Sequence, residues 1–459
     1  MALPLCSSMC IHYDCVMKLN QSLALSVLGS VLSGGSAHSQ LTESYRLFPN
    51  DAAAWIEFGL KTAVSDEYVV IGAHNSDRVY IFNHSGDQLH MLTPADSETE
   101  WFGHSVDISG SIVAIGASSD DDFGNASGSV YIYDAASGIH IWKLYAPDAR
   151  PAMEFGYSVA IEGDVLAVGV PYSQDIATRN GAVYIYDLSN GSFVQKLYAD
   201  DARAQEEFGS SVAIHGRHLA VGATRSDNGA PDTGAAYLFD LAEMKQLHKL
   251  SPADREPGDQ LGLSIDIDAN TVIVGCHRDD DLGDNSGSSY LFDIITGSMT
   301  HKLTAPDGGP GDDFGVSVAI SNGLAVVGAS GFDEPNNETG TGYVYHAGTG
   351  NLITKIVPDP IHFQVLEFGS AVSIYSDIIA VGSPRDRDNG VFSGSAFLYL
   401  LPCLPDTNRD GELDPTDFTA WIDAYNVGDL LSADQNRDGI ASPTDFTAWI
   451  ANYNAGCPQ

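Results

Sequence analysis

The dipeptide Phe-Gly, replaced once by Leu-Gly, recurs seven times along this chain: Phe58-Gly59, Phe102-Gly103, Phe155-Gly156, Phe208-Gly209, Leu261-Gly262, Phe314-Gly315 and Phe368-Gly369. The glycines are spaced by 44, 53, 53, 53, 53 and 54 residues. A period of that length marks an array of small units, none of which can bury its apolar face alone. Each Phe-Gly is followed by an alternating run such as 158–161, a polar break, and an apolar run ending in Gly-Ala or a variant, as at 115–117, 221–223 and 274–276. A VYIY-type run comes third (130–133, 183–186, 289–292), and a run containing Lys-Leu comes fourth (142–144, 195–197, 248–250, 301–303). Four short strand patterns per unit, with Gly and Asp at the breaks, predict an all-β seven-bladed propeller over residues 40–400. The seventh unit has no fourth run before Leu401; the matching run, 45–51, precedes the first Phe-Gly. An N-terminal strand completing the last blade would close the ring and remove its open edge.

The chain has 459 residues, 61 Asp and Glu against 21 Lys and Arg, and a formal charge of −40. A nucleic-acid binder needs a basic footprint, so that class is excluded, and an anionic membrane surface would repel the chain. Lys18, the apolar stretch 23–32 and the small residues Ala37 and Ser39 read as a secretory signal over 1–39, too short and too interrupted for a membrane span. Met17 directly precedes Lys18, which offers a second start that would leave residues 1–16 untranslated. Cleavage leaves Cys276, Cys403 and Cys457. Cys276, in an apolar run, reads as a small buried thiol. Cys403 and Cys457 bracket the C-terminal end in a chain read as secreted, and a disulfide between them would contribute about 4 kcal/mol on the chain-entropy model.

The alternation of Phe-Gly, Gly-Ala and VYIY resembles the FG-GAP repeats of the integrin α-chain propeller and its bacterial relatives, over roughly 41–400. In calcium-binding integrin blades the hairpin between the first two strands carries an Asp-rich loop. Here those hairpins are short, as in Ser109-Gly110-Ser111 and Glu162-Gly163-Asp164, so those sites are not carried over. Asp51, Asp148, Asp201, Asp254 and Asp307, each eight residues before the glycine of the motif, are expected to cap turns by accepting backbone N–H bonds. Asp134, Asp187, Asp240 and Asp293 are expected to open turns after the third strand. The acidic segments 118–128, 277–287, 330–340 and 384–394 lie between the second and third strands. They read either as solvated loops or as a face for cations and cation-bridged ligands. His74, His104 and His277 have no recurring nucleophile or carboxylate spacing, so no catalytic set is assigned.

After Leu401 the pattern changes. Residues 406–417 and 434–445 are two 12-residue loops with oxygen donors at positions 1, 3, 5 and 12 and Gly at position 6. Hard cations such as Ca²⁺ take six to eight such oxygens, and the glycine allows the chain to wrap them. The first set is Asp406, Asn408, Asp410, the Glu412 carbonyl and Asp417; the second is Asp434, Asn436, Asp438, the Ile440 carbonyl and Asp445. Each loop runs into DFTAWI, with Phe418, Trp421 and Ile422, or Phe446, Trp449 and Ile450, on one helical stripe; the stripes are expected to pack on each other. This loop–helix pair, over about 403–457, resembles a dockerin. The resemblance implies a small helical domain at 401–459, two Ca²⁺ ions and docking onto a cohesin-like or cell-surface partner. The basic helix residues of cellulosomal dockerins are missing. The cysteines resemble those of a disulfide-closed variant.

These features together predict a secreted, calcium-binding, non-catalytic recognition or adhesion protein whose propeller binds an extracellular glycan or protein. The alternatives are a dockerin-tethered enzyme acting on extracellular polysaccharide and a structural surface component.

Overall fold

The structure, a computed structural model, describes residues 41, 43–96, 101–334, 337–359, 365–401, 415–427, 430–435 and 441–455. The signal segment 1–39 and both Cys403 and Cys457 lie outside the described residues. Seven four-stranded antiparallel sheets form the blades of a propeller. Blade 3 shows the plan: Ser158–Glu162 at the centre, then Val165–Val170, Ala182–Asp187 and Ser192–Leu197 at the rim. The middle strands are apolar on both faces because each face packs on a neighbouring blade. Seven apolar clusters result, one at each blade interface. The motif phenylalanines are buried edge-on to the third strand, as with Phe155 and Tyr184, whose ring centroids are 5.5 Å apart. The turn-opening aspartates behave as expected: Asp134 accepts the Ser137 N–H at 2.8 Å and Asp187 the Ser189 N–H at 2.9 Å.

The ring closes as its sequence requires. Tyr45–Leu47 pairs antiparallel with Ser395–Leu400 and supplies the rim strand of blade 7, with Tyr45 opposite Leu398 and Leu47 opposite Ala396. This strand is shorter than the 45–51 run suggested. It stops at Leu47, near Pro49, which has no N–H to donate, and residues 50–51 form a turn.

Blade spacing is set by paired glycines. The motif glycine of each blade has a positive φ, from 88° at Gly156 to 98° at Gly262. Its carbonyl abuts the Gly-Ala glycine of the preceding blade. A Cβ on Gly222 would lie 2.1 Å from the Gly262 oxygen, and one on Gly116 would lie 2.0 Å from that of Gly156. Neither contact leaves room for a methyl group.

Beyond the propeller, the described residues form α1 (Pro415–Val427), the short α2 (Leu430–Ala433) and α3 (Pro443–Ala455). No helix among the described residues is long and apolar enough to cross a membrane.

Gly222→Ala is expected to cost about 2–3 kcal/mol by overpacking. Gly216→Ala, in an open hairpin with φ of 59° and no neighbour within 4 Å, is expected to cost about 1 kcal/mol from backbone strain. Urea unfolding of both variants checks this; equal losses would show that close blade approach is not what the glycines supply.

Candidate ligand face, channel and C-terminal loops

The acidic residues of the propeller loops are largely committed to internal contacts. In blades 2, 3, 4 and 6 the third-strand tyrosine and fourth-strand lysine stand side by side and reach one carboxylate on the connection leading into that blade. Tyr184 donates to Asp148 at 2.6 Å and Lys196 to the same carboxylate at 2.9 Å. Tyr343 and Lys355 hold Asp307 at 2.7 and 2.8 Å, and Tyr237 and Lys249 hold Asp201 at 3.0 and 2.7 Å. Burial alone would raise the Asp148 carboxyl, but the Tyr184 hydroxyl and Lys196 ammonium hold it below its ordinary value. These aspartates are therefore structural, as expected, but by a different contact. They anchor connections to strands three and four instead of capping turns, because the lysine reaches across the strand pair to them. The second-to-third-strand loops join the same network. Lys143 pairs with Asp120 at 2.9 Å and Asp122 at 2.6 Å, and Asp121 accepts the Ala126 N–H. In blade 7 the closing strand supplies Arg46, which pairs with Asp386 and Asp388 and lies 5.1 Å from the Phe397 ring centroid.

The face that carries these loops and the connections between blades also presents a run of aromatic rings. Trp101 stacks on His104 at 5.4 Å, His104 meets Tyr157 at 5.0 Å, and Tyr157 meets Tyr172 at 5.9 Å. His74 packs on Trp101 and His104, and Arg179 lies over Tyr172. Burial and the Lys61 ammonium push His104 down to about 3 and His74 to about 4, so both rings are neutral at pH 7. Trp55, packed edge-on against Phe392, is 60% exposed, and Trp101 is 44% exposed. Beyond Tyr172 the row continues into charge, with Glu207 between Arg179 and Arg225 at 4.0 and 3.6 Å. Sequence reasoning missed this row. His104 and Tyr157 occupy the position directly after Phe-Gly, which changes in most blades while its flanks repeat; that contrast was the available signal.

The central channel has a cavity of about 600 Å³ at the end bearing the first hairpins. Asp107 and Asp266 line it from blades 2 and 5. Each caps an inner strand of the next blade: Asp107 accepts the Ile161 N–H and Asp266 the Ile320 N–H, both at 2.7 Å. Both are partly exposed where they line the cavity. Enclosure pushes both carboxyls up to about 7 against the pull of these N–H donors, and Asp107's charge adds to the rise at Asp266.

Of the C-terminal loop residues, Asp417 and Asp445 are fully buried at the first turns of α1 and α3, and Asp434 is buried beside α2. Asp445 accepts the Ser442 N–H at 2.7 Å. Asp406, Asn408, Asp410, Glu412, Asn436, Asp438 and Ile440 lie outside the described residues. Buried carboxylates at the last position of each loop fit a hard cation's donor set. The helical stripes do face each other, with Phe418 at 5.4 Å from Phe446 and 5.3 Å from Trp449. They do not bury each other fully: Ile422, Phe446 and Ile450 remain about 40% exposed, and Phe418, Trp421, Tyr425 and Phe446 line an apolar groove of about 360 Å³.

Six segments, 87–133, 141–186, 192–239, 244–292, 298–345 and 366–399, match the family model described as FG-GAP repeat, and together span more than half of the chain. No curated protein matches the chain.

Because the folded pKa of Asp266 is raised, the native state holds its proton above pH 4 while the unfolded state releases it. That group's contribution to stability therefore falls as pH rises from about 4 to about 7. Asp266→Asn is expected to gain stability relative to the wild type between pH 4.5 and pH 8, read from urea midpoints. A constant difference between variant and wild type across that range would refute the enclosed-carboxylate account.

Proposed function

The chain belongs to the FG-GAP repeat family, and from that premise we propose that it is a secreted, non-catalytic recognition protein whose propeller binds an extracellular glycan through its loop face. The observation that carries this reading is the row Trp101–His104–Tyr157–Tyr172, ending in Arg179 and Glu207. Neutral aromatic faces offer large contact area at low entropic cost, and amphipathic sugar rings stack on such surfaces. The adjoining guanidinium and carboxylate groups supply directional hydrogen bonds to hydroxyls. Exposed tryptophan is otherwise costly on a soluble surface and marks interaction sites.

The C-terminal helices are proposed to anchor the propeller. Two Ca²⁺ ions would be held by Asp406, Asn408, Asp410, the Glu412 carbonyl and Asp417, and by Asp434, Asn436, Asp438, the Ile440 carbonyl and Asp445. The ions would offset buried carboxylate repulsion and fix the loops that lead into α1 and α3. The groove at Phe418, Trp421 and Phe446 suits an apolar face of a cohesin-like or cell-surface partner.

Trp101→Ala is expected to weaken glycan binding by about 10-fold or more while leaving the unfolding midpoint within about 1 kcal/mol of wild type. A glycan array on both proteins checks this, and unchanged binding would remove the aromatic row from the reading. Polysaccharide depolymerisation by the purified protein would overturn the non-catalytic assignment. Calcium titration calorimetry is expected to find two ions per chain, one lost in Asp417→Ala and one in Asp445→Ala. Absence of binding would refute the calcium assignment without touching the propeller.

A further inference from the structure

Seven near-copies of one unit make departures from the repeat conspicuous, and blade 5 departs at neighbouring positions. At the end of its second strand stands Cys276, where the other blades hold Ala73, Ala117, Val170, Ala223, Ala329 and Ser383. Around it are Asp259, from the connection entering the blade, and Asp279, from the loop after the second strand. Blades 4, 6 and 7 place an acid at only one of these two positions, with Ser226, Phe332 and Leu366 at the other; blade 2 has Glu100 and Asp120 there but Ala117 in place of the thiol. In blade 5 the ligand atoms of Asp259, Cys276 and Asp279 all lie within 4.8 Å of one another, and all three residues are buried.

A second observation points into the same space. In blade 2, Ser129 opens the third strand and donates to Asp120 at 2.8 Å; in blade 7, Ser395 donates to Asp386 in the same way. Ser288 holds that position in blade 5. It is the cross-strand neighbour of Cys276, so its side chain shares that face of the sheet. Ser288 is fully buried, and among the described residues its Oγ has no hydrogen-bond partner. A buried hydroxyl without a partner is a costly defect unless something else is bound there.

Charge points the same way. Lys302 bonds Asp254 and Asp279 at 2.9 Å and Asp281 at 2.5 Å, so one ammonium serves three carboxylates before Asp259 is counted. Asp259 is buried beside them. Its Oδ2 accepts the Glu256 N–H at 2.5 Å.

We propose that Asp259, Cys276 and Asp279, completed by Ser288, bind one thiophilic divalent cation of the zinc or cadmium class beneath the loop face of blade 5. One sulfur and three oxygens match the four-coordinate preference and mixed ligands of such ions. The same set is too small and too soft for Ca²⁺, which takes six to eight oxygens. On binding, Sγ gives up its proton to solvent and coordinates as the thiolate, and the ion neutralises the excess carboxylate charge. The bound ion would tie the connection from blade 4 to the second and third strands of blade 5.

The test is titration of chelator-treated, reduced protein of residues 40–459 carrying Cys403→Ser and Cys457→Ser, which leaves Cys276 as its one thiol, with Cd²⁺, read by thiolate-to-metal charge-transfer absorption in the ultraviolet. One ion per chain is expected. The band should vanish in Cys276→Ala, which installs the residue that four other blades carry and should leave circular dichroism unchanged. Asp259→Asn should weaken affinity by about 10-fold or more. Ca²⁺ should produce no band. A band missing from this single-thiol protein, or surviving the further change Cys276→Ala, overturns the proposal; unchanged affinity in Asp259→Asn overturns the ligand set. None of these outcomes depends on glycan or calcium binding.

Discussion

The close approach of two glycines at each blade interface is the constraint on which the rest of the structure depends. Gly169 and Gly209, Gly275 and Gly315, and Gly382 and Gly59 face each other so closely that a Cβ on the first would fall 1.8–2.2 Å from the carbonyl oxygen of the second. A closed ring makes this demand cooperative, because an interface that opened would have to be compensated by the others. The two halves of the repeat signature are thus the two sides of one contact, made between successive blades.

That spacing brings the inner strands near enough for side chains of one blade to satisfy backbone donors of the next. Asp107 reaches Ile161, Ser264 reaches Val318 and Ser317 reaches Val372. It also lets the lysine–tyrosine–aspartate contact recur around the rim. Where the repeat fails, the contact is rebuilt from other residues: Arg78 in place of lysine at Asp51, and Arg46 from the closing strand at Asp386. The family segments run from a rim strand through three strands of the next blade, as 141–186 does. A chain made of such units begins with a rim strand that only its last blade can accept.

Blade number, strand order and the closing strand were legible in the spacing of Phe-Gly and in the early position of residues 45–51. The short first hairpins and the turn-opening Asp134 and Asp187 were legible too, since those contacts are local. The roles of Asp148, Asp201 and Asp307 were not, because their partners lie 36 and 48 residues away across a strand pair. The acidic loops read as free surface until Lys143 and Lys302 were seen to gather their carboxylates. His104 carried only the contrast at the position after Phe-Gly, because the ring it meets, Tyr157, belongs to blade 3, as does Tyr172 beyond it.

The sequence by itself determined the architecture, because a repeated pattern of apolar runs and glycines admits one way to bury every face and leave no sheet edge. It also determined which oxygen donors are arranged along the C-terminal loops, because those donors are consecutive in the chain. Only the tertiary structure decided which polar groups are spent on the scaffold and which remain for ligands. Ser129 and Ser288 occupy the same place in the repeat, yet one hydroxyl has a carboxylate partner and the other has none among the described residues. That difference arises from what surrounds each serine in its own blade, including the thiol that faces Ser288, and contacts of a few ångströms between residues distant in the chain do not appear in its order.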